Sequence, residues 1–237
     1  MSFIIAVHVN EGIVLASDSR YTYHRTVQQD GTVTRMMGVH CTDSAHKTFL
    51  GPNRMGLSAC GEASVNGMPI TGYIESFLRE QIGETTPVEE AAQRLIAYFG
   101  GFQPVPAVNF LLAGYDSAGG RARQQRFRVR TAQKEITRID TVNQGAIWDG
   151  EVTTLTRLLQ PVAVRRGKDS YADLPTAEIP WGLFSLQDAI DFAQYAVDVT
   201  IKTMRFQNVV ETVGGPIDIL VLKPQEATWI QQKHLHA

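Results

Sequence analysis

The order of apolar and polar positions predicts blocks of strands that alternate with pairs of helices. The chain opens with an apolar run at 3–9, a turn at 10–12 and a returning apolar run at 13–16, which together predict a hairpin. Strand patterning resumes at 48–50 and 55–60. Because the first strand begins almost at the first residue, we expect a sheet to hold the chain terminus, where terminal chemistry becomes possible.

Residues 21–46, between the first hairpin and the strand at 48–50, have the pattern of an insertion. Asp30-Gly31 lies between two polar stretches that contain threonine and valine, which is a strong local signal for a hairpin turn. We therefore expect the insertion to form a hairpin of its own.

Two helices are predicted next, each from an apolar stripe at helical spacing. The first begins near Pro69, and the second begins at a capping box formed by Thr86 and Glu89, with Pro87 at its first helical position. The glycine pair at 100–101 ends the second helix. The stripes consist of Ile70, Ile74, Phe77 and Leu78, and of Val88, Ala92, Leu95, Ile96 and Phe99.

The second half of the chain repeats the order of strands followed by helices. Its predicted strands are 108–113, 126–129, 136–148, 217–222 and 228–230. A short helix is predicted around Leu155, a long connection at 160–184, and a long helix that Ser185 caps with Asp188 in the first turn. This order predicts an α+β protein in which two antiparallel sheets are covered by helix layers.

Composition and charge narrow the class of protein. The 237 residues are 43% hydrophobic and 19% charged, which is typical of a globular protein. The net charge is −2, so the charge of the whole chain does not indicate nucleic-acid binding. Basic residues cluster at 121–130, but they alternate at a strand-like period, which predicts a solvated strand face. The length suits one large core, and we predict a single domain over 1–237.

Signals for membranes, export and metals are weak. No apolar run reaches membrane-spanning length and the first residues do not form a secretory signal, so we expect a cytoplasmic protein that contacts no membrane. Cys41 and Cys60 make no disulfide framework, and Cys60 is expected to be buried. No metal and no cofactor is predicted, because the early histidines lack ligand-spaced partners. These histidines are His8, His24, His40 and His46.

Ser2 is the first candidate for chemistry, because of its position in the chain. If Met1 is removed, Ser2 carries a free α-amine and a hydroxyl on one residue, so a base and its nucleophile come together. A free α-amine has a pKa of about 7.7–8.0, close enough to neutrality for proton transfer. This is the arrangement of an N-terminal-nucleophile hydrolase.

Several segments, taken in order, resemble the β-type subunits of proteasomes. Segment 12–20 resembles the family's second strand, which ends in an acidic residue and an arginine. Lys47 precedes Gly61 by fourteen positions, as the family's catalytic lysine precedes its oxyanion-hole glycine. Segments 111–116 and 214–219 resemble later strands of the family. The resemblance covers most of the chain and implies a four-layer αββα sandwich with a central pair of antiparallel sheets.

The resemblance also implies an activity and a set of catalytic roles. It implies a peptidase that cuts peptides or unfolded proteins within a homo-oligomeric ring, and it leaves any regulatory ATPase open. Ser2 takes the place of the nucleophile, usually threonine in this family, with its own amine as the base. Lys47 stabilises the developing alkoxide and Asp18 keeps Lys47 charged, while the Gly61 backbone N–H donates to the oxyanion.

The resemblance assigns a second group of residues to substrate binding. Thr22 falls where the family binds the substrate backbone, and Ala59 falls at the floor of the specificity pocket, where a small residue implies an open pocket. The four residues of this predicted group are Arg20, Thr22, Ala59 and Ala63.

The chain departs from the family pattern at the residues that hold the N-terminal amine. The region before the late glycine pair offers only Glu211 and Thr212 as polar substitutes, and the usual serine-glycine motif before the third helix is absent, with Gly150 in its region. Two alternatives stay open: an amidase or acylase of the same fold, or an inactive ring-forming scaffold. Asp18 and Lys47 could also form a purely structural ion pair.

Overall fold

The computed structural model describes residues 2–29, 32–118 and 120–234, and the predicted turn at Asp30-Gly31 lies outside these ranges. The strands are β1 (Phe3–Val9), β2 (Gly12–Ser17), β3 (Tyr21–Gln29), β4 (Thr32–Thr42), β5 (Thr48–Leu50), β6 (Gly56–Gly61), β7 (Ser64–Val65), β8 (Met68–Pro69), β9 (Val108–Ala118), β10 (Arg121–Arg130), β11 (Glu135–Arg138), β12 (Gly145–Gly150), β13 (Ala163–Arg165), β14 (Tyr171–Asp173), β15 (Asp218–Leu222) and β16 (Ala227–Gln231). The helices are α1 (Ile70–Gln81), α2 (Val88–Gly100), α3 (Thr153–Leu159) and α4 (Leu186–Arg205).

Two five-stranded antiparallel sheets form the centre of the described fold. The first sheet has the order β12-β1-β2-β15-β16, and the second has the order β11-β10-β9-β6-β5. β1 lies between two partners, with Phe3 opposite Gly150 on one side and Ile4 opposite Ser17 on the other. The prediction that a sheet holds the start of the chain is confirmed.

The alternation of side chains along β1 separates two layers of the core. Phe3, Ile5 and Val7 pack with the apolar face of α4, whereas Ile4 and Ala6 pack with residues of the second sheet. β1 is therefore covered on both faces, which explains why all of its residues except His8 are apolar. Full burial of each large side chain stabilises the fold by about 1.5–3 kcal/mol.

Helices α1 and α2 cover the other face of the second sheet. Their predicted stripes are confirmed, because Phe77 and Phe99 are fully buried in the same cluster as Phe110 and Phe127 of the sheet. The rings of Phe99 and Phe110 lie 5.3 Å apart between centroids, a typical aromatic contact.

The predicted capping box of α2 is wrong. Neither Thr86 nor Glu89 caps the helix, whose N-cap residue Pro87 makes no side-chain bond to it. The Val88 N–H instead donates to Oδ1 of Asp116, at 3.0 Å. Asp116 comes from β9, so a residue remote in the sequence satisfies the exposed donor, and local pattern could not reveal it.

The second predicted cap, on α4, is confirmed. The Ser185 N–H donates to Oδ2 of Asp188 at 2.8 Å, and the Asp188 N–H donates back to Oγ of Ser185 at 3.2 Å. The long connection before it, at 160–184, contains the β13–β14 hairpin and a short 3-10 helix at Trp181–Leu183.

Two further strand predictions need correction. The segment predicted as one strand over 136–148 is two strands, because the Asp140 carboxylate accepts from the Val142 N–H at 2.8 Å and closes a turn between β11 and β12. The basic strand β10 is only partly solvated, since Arg126 is 3% exposed and donates to the carbonyl of Asp140. Within the described residues, no helix is both long and apolar enough to cross a membrane.

The burial of Arg126 brings a cation beside a buried histidine. His8 is 2% exposed, and its Nε2 lies 3.5 Å from Nη2 of Arg126. Burial and the positive charge of Arg126 lower the pKa of His8 from 6.5 to about 4. The imidazole is therefore neutral in the folded protein at neutral pH.

We expect His8 to make the folded protein less stable as the pH falls. The unfolded chain takes up a proton near pH 6.5, whereas folded His8 does so near pH 4, so its contribution is complete above pH 6.5 and is lost between those values. Urea unfolding of wild type and His8→Gln at pH 7.5, 5.5 and 4.5 measures this. The stability difference between the two proteins should change by up to about 1.4 kcal/mol per pH unit in that window. A difference that is constant with pH contradicts the expectation.

Candidate active site

The Asp18 carboxylate, directly after β2, is the centre of the candidate site. It is fully buried. Its Oδ1 accepts from the Phe3 N–H at 3.0 Å and from Lys47 Nζ at 2.8 Å. Its Oδ2 accepts from the backbone N–H groups of Arg20 and Gly214, each at 3.0 Å. Four donors from separate segments of the chain thus converge on one charge, which offsets the cost of its burial.

Lys47 is completely buried where the chain enters β5. Besides Asp18, its ammonium donates to the carbonyl of Arg20 at 2.5 Å and lies 5.4 Å from the centre of the Tyr21 ring. Burial lowers the pKa of Lys47, while the carboxylate of Asp18 acts in the opposite direction. An amine in this environment gives up a proton more readily than an exposed lysine does.

Ser2 is 1% exposed and lies beside this ion pair. The Phe3 N–H, which belongs to the peptide bond after Ser2, donates to Oδ1 of Asp18. The Lys47 ammonium donates to the same oxygen, so this one oxygen connects Nζ to the backbone beside Ser2. The alternation along β1 directs position 2 to the side of Ile4, toward the second sheet. The structure thus brings Ser2, Asp18 and Lys47 together.

Gly61 ends β6 and is exposed at the end of the second sheet. Its φ of +122° lies in the region that favours glycine, and a Cβ there would collide with the carbonyl of Ala107. Its neighbour Ala59 is linked to the site through its N–H, which donates to the carbonyl of Lys47 at 2.8 Å. The backbone therefore requires a glycine at 61, and the role of its N–H in catalysis stays a prediction.

The residues predicted to bind substrate are dispersed around this centre. Thr22 is buried and donates from Oγ1 to the carbonyl of Glu211 at 3.4 Å. Ala59 is 3% exposed within the core cluster of α1 and α2. Ala63 is half-buried, and its carbonyl accepts from the Ile70 N–H at 3.0 Å. Their assignment to substrate binding stays a prediction.

Arg20 is held by two carboxylates. It donates to both oxygens of Asp43, at 2.6 and 2.8 Å, and to Oε2 of Glu211 at 2.8 Å. Glu211, one of the two polar candidates for holding the N-terminal amine, is therefore bonded to Arg20. The other candidate, Thr212, is buried with Oγ1 4.0 Å from Sδ of Met204.

Sequence reasoning missed the part that the late glycine pair plays. The Gly214 N–H reaches Asp18, and its carbonyl accepts from the Ser19 N–H at 2.9 Å. A Cβ at Gly214 would lie 2.5 Å from Cζ of Arg20, and a Cβ at Gly215 would lie 2.8 Å from Cβ of Asp43. The only signal in the sequence was the glycine pair itself, because its partners are remote.

The described residues contain no group of three or more His, Cys, Asp or Glu side chains that could hold a metal ion. The Asp18 carboxylate and the Lys47 ammonium form an ion pair 2.8 Å long and are further hydrogen-bonded to the backbone.

Solved structures of another protein share this fold at low sequence identity. The chain is similar to Anbu from Hyphomicrobium sp. strain MC1, at 16% identity and a TM-score of 0.54, over 98% of this chain and 88% of that one. It is similar to a (Gly-1) mutant of the same Anbu at 15% identity and a TM-score of 0.62, over 96% and 86% of the two chains. No protein-family model and no curated protein matches the sequence.

At these identities the likeness shows the fold alone. The fold is that of Anbu, a bacterial proteasome-like protein with the N-terminal-nucleophile hydrolase fold. The resemblance to proteasome β-type subunits is therefore supported at the level of the fold.

Proposed function

We propose that this protein is a proteasome-like peptidase with Ser2 as its N-terminal nucleophile after removal of Met1. The proposal includes a four-layer αββα arrangement, a homo-oligomeric ring, a cytoplasmic location and peptides or unfolded proteins as substrates. The observation that carries it is the buried Asp18–Lys47 pair at 2.8 Å, which shares a carboxylate oxygen with the amide next to Ser2.

The energetics of this pair favour a catalytic role over a structural one. A buried ion pair contributes little net stability compared with apolar side chains of the same volume, because two charges lose their hydration. Here the ammonium faces the start of β1, where apolar packing would serve folding equally well. A positive charge at that position is useful to a hydroxyl that must become an alkoxide.

The proposed reaction assigns each step to a group of this chain. The α-amine takes the hydroxyl proton as Ser2 Oγ attacks the substrate carbonyl carbon, while Lys47 stabilises the developing negative charge. The Gly61 N–H donates to the oxyanion of the tetrahedral intermediate. The C–N bond then breaks, and the leaving amine takes the proton from the α-ammonium. Water, deprotonated by the same α-amine, then attacks the ester carbonyl carbon. The C–O bond to Ser2 breaks, Oγ takes the proton back from the α-ammonium, and the acid is released.

Intact-mass spectrometry tests the proposal directly. We expect the purified protein to lack the mass of Met1 and to gain one covalent adduct with a β-lactone, located at Ser2 by peptide mapping. The Ser2→Ala protein should fold and remain unlabelled. A homogeneous product that retains Met1 and never labels contradicts the proposal, and so does a Ser2→Ala protein with unchanged activity, which the scaffold alternative predicts.

The burial of Ala59 favours a second candidate function. The predicted pocket floor is 3% exposed, and the Arg20 guanidinium and the Thr22 hydroxyl are engaged within the chain. A site this closed suits an amidase or acylase that cuts small amides. Light scattering separates the candidates, because the amidase is expected as a monomer or dimer and the peptidase as a ring.

A further inference from the structure

A polar bridge joins the two sheets beside the candidate nucleophile. Asp149 of β12 accepts on Oδ1 from Nδ2 of Asn109, at 3.1 Å, and from the Gly150 N–H, at 2.8 Å. Its Oδ2 lies 3.2 Å from Nε of Arg128. Asn109 and Arg128 belong to β9 and β10 of the second sheet, so one carboxylate of the first sheet is held by two strands of the other.

One end of this bridge reaches the backbone of Ser2. Gly150 follows Asp149 and lies opposite Phe3 in the sheet. It has a φ of +92°, and a Cβ there would collide with the Ser2 carbonyl oxygen. The Glu151 N–H donates to the same oxygen, at 2.8 Å. The conformation that follows Asp149 therefore fixes the backbone of residue 2.

The other end of the bridge reaches the strand of Gly61. Asn109 lies opposite Cys60, and Val108 lies opposite Gly61 in the pairing of β6 with β9. Asn109 is therefore adjacent in sequence to Val108, the residue that pairs with Gly61, whose N–H is the predicted oxyanion donor. Asp149 and Asn109 connect the two backbone segments whose separation decides whether the Gly61 N–H can reach an oxyanion on Ser2.

The bridge is largely buried, and within it Oδ2 of Asp149 and Nε of Arg128 form an ion pair but no hydrogen bond. The side chains of Asp149 and Arg128 are 14% and 24% exposed, and Nη2 of Arg128 also donates to the Trp148 carbonyl at 3.0 Å. Cys60 is buried beside it. Burial and the charge of Asp149 both raise the pKa of the Cys60 thiol.

We propose that Asp149, held by Asn109 and Arg128, is a positioning residue that sets the spacing between Ser2 and the Gly61 amide. This inference rests on the proposed function. The polar side-chain contacts of Asp149 with the described residues are with Asn109, Gly150 and Arg128, so its effect is on the alignment of the oxyanion donor. A displacement of about 1 Å at a reacting centre can lower the rate about a hundredfold.

Asp149→Asn tests the kinetic part, because it keeps the size of the side chain and removes the charge that holds Arg128. We expect kcat to fall by about 10- to 100-fold with KM changed by less than about threefold, because alignment matters in the transition state. The matched control is Glu135→Gln, which breaks the exposed Arg130–Glu135 pair on β10 and β11 at 3.0 Å. The control should keep wild-type kcat.

The two cysteines of the chain test the spacing without any need for activity. Cys60 is buried within the bridge and Cys41 is exposed, so the ratio of their alkylation by iodoacetamide, read by peptide mass spectrometry, reports access between the sheets. We expect Asn109→Leu, which breaks the bridge and keeps the charge of Asp149 beside the thiol, to raise the Cys60:Cys41 ratio at least about tenfold, a change of about 1.4 kcal/mol in opening. Glu135→Gln should leave the ratio unchanged.

The two measurements separate this inference from the proposed function. A wild-type protein that fails to label at Ser2 refutes the peptidase, and the cysteine ratio still decides whether Asp149 sets the spacing. An unchanged ratio in Asn109→Leu overturns the inference. If the wild type is active, a raised ratio in Asn109→Leu together with a wild-type kcat in Asp149→Asn also overturns it, because the bridge would then hold the sheets without positioning the site.

Discussion

Lys47→Met is expected to lower peptidase turnover by about a thousandfold or more and to leave the protein folded. The ammonium of Lys47 acts on charge that develops at Ser2, so its loss falls on the chemical step rather than on substrate binding. The carboxylate of Asp18 loses its counter-charge, but the protein should still fold because Asp18 keeps three backbone donors, the N–H groups of Phe3, Arg20 and Gly214. Methionine fills most of the volume that the lysine side chain occupies.

The measurement is a steady-state peptidase assay of Lys47→Met beside a thermal melt. Lys202→Met is the matched control, since it removes an exposed lysine that pairs with Asp198 of the same helix at 2.7 Å. The control should keep wild-type turnover. Near wild-type turnover in a folded Lys47→Met protein would show that the active site lies elsewhere.

The sequence predicts those features of the fold that depend on local pattern. The pattern at 3–9 predicts a strand that holds the start of the chain in a sheet, and the helical stripes identify the buried faces of α1 and α2. Ser185 and Asp188 predict a helix start, because both partners of that capping box lie within one turn.

Contacts between remote segments escape prediction from local pattern. Asp116 caps α2 from β9, and no sequence spacing indicates this. The alternation along β10 identifies two faces but cannot tell which one another sheet covers, so the burial of Arg126 was not predicted.

In the candidate site, too, the motif residues were predicted from the sequence and the contacts between remote segments were not. The motif spacing brought Ser2, Asp18 and Lys47 into one hypothesis, and the structure brings them together. Gly214, which reaches Asp18 across 196 positions, had no assigned role. The bond between Arg20 and Glu211 spans 191 positions and was missed for the same reason.

Asp18→Asn is expected to lower the free energy of unfolding by about 3–5 kcal/mol, in addition to abolishing activity. An asparagine side chain keeps one acceptor oxygen and turns an NH₂ group toward backbone N–H donors that need an acceptor. It also leaves Lys47, which is 0% exposed, with the Arg20 carbonyl and no counter-charge. Urea unfolding of wild type and variant at pH 7.5 measures the loss.

Two further variants test whether the stability lost in Asp18→Asn is specific to the buried ion pair or follows from removing any carboxylate. Asp43→Asn weakens the bond to Arg20 at a side chain that is 44% exposed, and should cost about 1 kcal/mol or less. Adding Lys47→Met to Asp18→Asn removes the unpaired ammonium, so the double variant should be more stable than Asp18→Asn alone. A single Asp18→Asn protein within about 1 kcal/mol of wild type would mean that the pair is not isolated from water. Because Asp18 serves both the fold and Lys47 whereas Lys47 serves the chemistry, the two variants should differ far more in stability than in activity.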